Sequence, residues 1–140
     1  MPRPPSQHPT DGELEILRVL WDRGPSALGE ICESLRRERE VATTTVATML
    51  RLMLDKGLVR RKPAGSNTAR RGHQWSAAVT QSATARTLVG KLVEGVFDGS
   101  AGRLAVHLVE AGQLSSDELA ELRKLIDSNR VSRKSAKAQN

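Results

Sequence analysis

Thr44, Thr48, Arg51 and Asp55 recur at spacings of three and four, so on a helix advancing about 100° per residue they share one side. Val46, Met49, Leu50 and Met53 take the other side and give that helix a core face. The polar side is short, uncharged at its N-terminal end and small in side chain. Laid in a major groove, it can set Thr methyls against thymine methyls and Arg51 on guanine or a phosphate. Left in water, it is an ordinary solvated face. Context favours the groove, because a turn and a helix come before it and a basic hairpin follows.

That hairpin carries the second chemistry. Residues 59–75 hold Arg60, Arg61, Lys62, Arg70 and Arg71 with no acid, and residues 130–140 hold Arg130, Arg133, Lys134 and Lys137 with no acid. The chain's 22 basic and 16 acidic residues leave +6; without those nine cations, 13 basic stand against 16 acidic, or −3. A polyanion therefore meets two defined basic segments on a slightly acidic body. Arg and Lys along the hairpin can lie on phosphates, adding affinity that salt erodes, and the same charges protect a strand edge from aggregation.

Other chemistries find little support. His8, His73 and His107 are scattered, and no His or Cys pair has metal-ligand spacing, so neither metal nor cofactor is expected. Cys32 is the one cysteine, which permits no internal disulfide and reads as a packing residue. There is no Gly-rich phosphate loop, nucleophile elbow or apolar carboxylate pair, so no enzyme is expected. Three aromatic residues, Trp21, Trp75 and Phe97, are too few for a base-stacking platform. Without an apolar run near 18 residues or a charged-then-apolar leader, the expected location is cytoplasmic, with no direct membrane insertion.

Both groups depend on the helices and strands around them, which run in order along the chain. Pro2, Pro4, Pro5 and Pro9 make residues 1–9 a loose lead-in. Thr10 and Glu13 have capping-box spacing, opening a helix with Leu14, Leu17 and Trp21 on one face and Leu20 beside them, stopped by Gly24-Pro25. Ser26 is placed to cap a second helix carrying Leu28, Ile31 and Leu35. The third helix, about Ala42 to Lys56, ends at Gly57. Leu58-Val59 then leads into one strand, and His73-Gln74-Trp75-Ser76 forms the return. Three helices and a basic hairpin are the order of a winged helix-turn-helix, expected over residues 10–79. From Thr80 the pattern is helical again, with Ala85, Leu88, Leu92 and Val96 on one face, a break at Asp98-Gly99-Ser100, then Leu104, Ala105, Leu108 and Val109. A second capping box, Ser115 to Glu118, opens a helix with Leu119, Leu122, Leu125 and Ile126. Such narrow apolar faces have little to bury against alone, and self-association solves that. The fold expected is mainly α with a small β-hairpin wing, followed by a three-helix dimerisation region over residues 80–128 and a flexible basic tail over 129–140.

Three stretches carry a family resemblance: Glu13-Leu14-Glu15-Ile16-Leu17 through Leu20-Trp21, the run Thr43-Thr44-Thr45-Val46-Ala47-Thr48-Met49-Leu50, and Asp55-Lys56-Gly57-Leu58-Val59. With Phe97-Asp98-Gly99-Ser100 and Leu114-Ser115-Ser116-Asp117-Glu118-Leu119, they resemble the BlaI/MecI family of penicillinase repressors over about residues 10–128. The resemblance implies a homodimeric winged-helix transcriptional repressor on a palindromic double-stranded DNA operator. It further implies a membrane sensor metalloprotease as partner, and derepression through cleavage in the dimerisation region. Carried over, it sets Thr44, Thr45, Thr48 and Arg51 toward the operator and Arg60, Arg61, Arg70 and Arg71 in the wing. The dimer seam is expected from Leu88, Leu92 and Val96, from Leu104 and Leu108, and from Leu119 and Leu122. The chain departs from the family in having Thr43 where a Tyr is common, Leu52 where an Arg is common, a longer wing, and Val96-Phe97 in place of an Asn-Phe bond. It also lacks the Cys-rich C-terminal motif of the copper-responsive branch. Two rival readings are a winged-helix protein-interaction module and a ligand-responsive regulator with a pocket between its halves.

Overall fold

A computed structural model describes residues 8–63 and 72–138. The elements are α1 (Asp11–Arg23), β1 (Ser26–Ala27), α2 (Leu28–Arg36), α3 (Thr43–Lys56), β2 (Val59–Pro63), β3 (His73–Ala77), α4 (Gln81–Val96), α5 (Ala101–Glu110) and α6 (Ser116–Ala138). The chain divides into two compact units at Gly90 and Lys91. No described helix is long and apolar enough to cross a membrane.

The first unit is a winged helix-turn-helix. α1 opens on the predicted capping box: the Glu13 amide donates to Thr10 Oγ1 at 3.3 Å, and the Thr10 amide donates to Glu13 Oε1 at 2.9 Å. It closes on Gly24, whose φ of 83° suits a residue without a Cβ. Three buried residues from each helix make the core: Ile16, Leu17 and Leu20; Ile31, Cys32 and Leu35; Val46, Leu50 and Met53. Leu58, Val59 and Trp75 close it from the sheet. Burying each large apolar side chain contributes about 1.5–3 kcal/mol. The indole N–H of Trp21 donates to the Val79 carbonyl at 2.9 Å, tying α1 to the segment after β3.

Three local expectations need correction. The core face of α1 is Ile16, Leu17 and Leu20 with Glu13, whereas Leu14 and Trp21 are only half-buried. Both faces of this helix carry apolar residues, and packing against α2 and α3 decides between them. Ser26 does not cap α2. It lies buried in β1, its hydroxyl donating to the Gly24 carbonyl at 2.8 Å, and α2 begins after Ala27, whose amide donates to Glu30 Oε1 at 3.0 Å. The hairpin is thus part of a three-stranded antiparallel sheet, ordered β1-β3-β2, in which Ser26 pairs with Trp75 and Ala27 with Gln74. A two-residue strand is too short to show a period in the sequence.

Taken by itself, the second unit holds the end of α4 with α5 and α6. Asp98 and Gly99, at φ of 51° and 80°, turn the chain out of α4, and Ser100 caps α5 by accepting from the Arg103 amide at 3.2 Å. The Phe97 and His107 rings lie 5.7 Å apart. The second capping box forms as predicted: the Ser115 amide donates to Glu118 Oε1 at 3.0 Å, and the Glu118 amide donates to Ser115 Oγ at 3.1 Å. The Ser115 amide, helped by the Ser115 hydroxyl, holds the Glu118 carboxyl below its ordinary pKa. α6 continues to Ala138 where the sequence suggests a flexible tail from residue 129; neither Gly nor Pro interrupts the run.

A candidate nucleic-acid interface

α3 is held from three sides before any of its residues can meet a ligand. Val46, Leu50 and Met53 are buried, and Met49 is half-buried against the same core. Its C-terminus stops at Gly57 in the left-handed region, φ 78°, and the Leu58 amide donates to the Met53 carbonyl at 2.9 Å. Beside that end, Lys56 Nζ donates to Glu13 Oε1 at 2.7 Å, both groups largely withdrawn from water. Burial pushes the Glu13 carboxyl up. The Lys56 ammonium and the Thr10 amide outweigh that and hold it below its ordinary 4.5.

The N-terminus of α3 is left open. Its N-cap is Ala42, which offers no side-chain acceptor, and no acid lies in the first turn. The leading amides and the positive end of the helix dipole therefore face outward without a protein carboxylate or hydroxyl to satisfy them. Arg36 braces this end: its Nη2 donates to Thr43 Oγ1 at 2.8 Å and its Nε to the Val41 carbonyl at 3.2 Å. Arg39 ties the same loop to α1 through Glu15 at 3.0 Å. Sequence reasoning missed the part played by Arg36, which reads there as one cation in a charged run.

Of the residues expected to meet DNA, Thr44, Thr45, Thr48 and Arg51 all lie exposed on α3, on the side away from the core. Thr48 Oγ1 donates to the Thr44 carbonyl at 2.9 Å, one turn back. Arg60 and Arg61 are exposed on β2 but leave opposite faces of it. Arg61 pairs across the ladder with Trp75, and its guanidinium carbon sits 5.8 Å from the Trp75 ring centroid, on the sheet face that looks to the core. Arg60 pairs with Ser76 and points to the other face. Arg70 and Arg71 lie outside the described residues. A second omission of the sequence reading is Leu52, which is 53% exposed. Its signal is available on a helical wheel, where it falls beside Thr45 and Thr48 rather than with the core stripe.

The arrangement is a braced helix with small exposed polar groups and an open positive end, together with a cationic sheet edge. Among the described residues, no group of three His, Cys, Asp or Glu side chains is placed to hold a metal.

Residues 9–128 match the model of a family described as penicillinase repressor. The methicillin resistance regulatory protein MecI of Mammaliicoccus sciuri is 23% identical over 118 residues, spanning 84% of this chain and 92% of that protein. The penicillinase repressor of Bacillus licheniformis is 21% identical over 125 residues, spanning 89% of this chain and 94% of that protein. In fold, the chain is similar to wild-type MarR of E. coli in its apo form, at a TM-score of 0.50 and 22% identity, over 86% of this chain and 76% of that one.

Proposed function

The chain belongs to the penicillinase repressor family, which makes it a DNA-binding transcriptional repressor, and on that premise we propose that it works as a homodimer on a palindromic operator. The observation that carries the reading is the outer face of α3, where Thr44, Thr45, Thr48 and Arg51 stand exposed on a helix locked at both ends. Arg51 donates to guanine or to a phosphate, the Thr residues meet base edges, and Arg60, with Arg61 behind it, adds phosphate contacts from the sheet.

Dimerisation turns two weak heads into one bivalent ligand. Once the first head is bound, the second is confined near its half-site, so an affinity too small for repression becomes adequate. The proposed seam draws on α4, α5 and α6. There Leu92, Val96, Leu119 and Leu122 are exposed in the single chain, and Leu88, Leu104 and Leu108 are half-buried. Loss of the dimer is then derepression. Proteolysis around Phe97 by a membrane sensor metalloprotease is the switch proposed by family kinship: it removes α5 and α6 and leaves every contact made by α3 and β2 in place.

The test is fluorescence anisotropy of the full chain on DNA from upstream of its own gene and on a shuffled duplex of the same composition, at two salt concentrations. Selective binding by two chains per duplex, weakening steeply with salt, is expected. Equal, weak binding to both duplexes counts against the repressor reading and in favour of a protein-interaction module.

A further inference from the structure

A lone exposed leucine on a protein surface means nothing by itself. Leu52 has company. On α3 it follows Thr48 by four residues and Thr45 by seven, which brings the three side chains within about 60° around the helix axis. All three are exposed. The Thr48 hydroxyl gives its hydrogen to the Thr44 carbonyl at 2.9 Å, so toward a base edge it can accept but not donate, and its methyl is free to meet one. Arg51 lies about 100° around the axis from Leu52, near Thr44 and the exposed Asp55, so the outer face of α3 has a polar, charged edge and an apolar one. From Thr45 to Leu52 the apolar edge extends about 10 Å along the helix, the length of about three base-pair steps.

Resting on the repressor reading, we infer that Leu52 is a specificity-determining residue, which with Thr45 and Thr48 reads the C5-methyl group of thymine in the major groove. The major-groove edges of the four base pairs differ in donors, acceptors and this one methyl, and an apolar side chain can select only the methyl. A leucine on a groove-facing helix gains nothing from a phosphate and would leave a donor or acceptor on guanine, cytosine or adenine dry and unpaired. Beside a thymine, it removes two apolar surfaces from water together. Each half-site therefore contains a thymine whose methyl, not its hydrogen-bonding groups, sets the preference.

The test uses the full-length chain to select duplexes from a randomised library, and then replaces each thymidine of the winning duplex singly by deoxyuridine, which deletes the methyl alone. One position per half-site is expected to lose about four-fold in affinity on replacement, the value of one buried methyl. Leu52→Ala is expected to bind the thymidine duplex about that much more weakly and to be indifferent to deoxyuridine there. Because Leu52 is exposed, the variant should keep the wild-type thermal melt. If the library yields selective duplexes, but deoxyuridine costs wild type and Leu52→Ala equally at every position, the inference is overturned and the repressor reading stands. If no duplex is selected over random DNA, the repressor reading fails and takes the inference with it.

Discussion

Arg60 and Arg61 follow one another in β2, so they leave opposite faces of the sheet and do different work. Arg61 lies over the Trp75 ring, a contact of about 0.5–1 kcal/mol at an exposed site. Arg61→Ala should therefore lower the melting temperature slightly and change Trp fluorescence as well as weaken DNA binding. Arg60→Ala should leave the melt unchanged and reduce the salt dependence of binding by about one counterion; a lowered melt in Arg60→Ala would show that it, too, packs. Arg51→Ala should cost about 1–3 kcal/mol on the preferred duplex and relax the preference at one or two base pairs, if it reads a base. Equal losses on preferred and random DNA would reassign it to a phosphate. The polar face was legible because helical periodicity is local arithmetic. The same arithmetic sets Leu52 beside Thr45 and Thr48, but that it is left exposed with no core to join is shown only by packing.

Glu13 shows what happens at the scale of elements. It belongs to the capping box of α1 and also grips Lys56 at the end of α3, so one carboxylate fixes the start of one helix against the end of the other. The capping boxes at Thr10 and Ser115 were readable because all their partners lie within three residues. The ion pair was not readable, since its partner is 43 residues away. The same holds for β1, whose partner strand begins at His73, and for the choice of Ile16 over Leu14 as core. Local rules are visible in sequence, and distant partners are not. Glu13→Gln keeps shape but strands the Lys56 ammonium in a largely buried place, and should cost about 2–3 kcal/mol near neutral pH. Because the folded-state pKa of Glu13 is depressed, its stabilisation is fully present above the ordinary value of 4.5 and is lost as pH falls through the lower, folded value. Denaturant melts at a series of pH values should show wild type and Glu13→Gln converging in acid. A gap that stays constant down to the acid limit would mean that the charge of Glu13 contributes nothing.

At the scale of the molecule, most core-forming side chains of the first unit are covered, and many apolar ones of the second are not. Val96 is 67% exposed, Leu92 42% and Leu122 40%, and α5 has no buried residue at all. The narrow apolar faces of these helices, and their having little to bury against alone, could be read from spacing, whereas which side chains stay in water, Val96 more than Leu104 or Leu108, could not, since that depends on which helices pack together. Exposed apolar patches beyond what a monomer carries mark a surface for association. Leu92→Asp and Leu122→Asp test this cleanly, because a charge at a position exposed in the single chain should not disturb its fold, while in an apolar seam it must be desolvated without a partner. Each variant should sediment as a monomer, keep the thermal melt of its winged-helix unit, and bind a single half-site as wild type does. Each should lose the added affinity for a full palindrome that tethering provides, about 100-fold or more. Sedimentation and operator binding must move together if bivalency is the mechanism. A variant that is monomeric yet still binds the full operator as tightly as wild type would show that dimerisation contributes nothing to repression, and a dimer surviving both changes would place the interface on another surface.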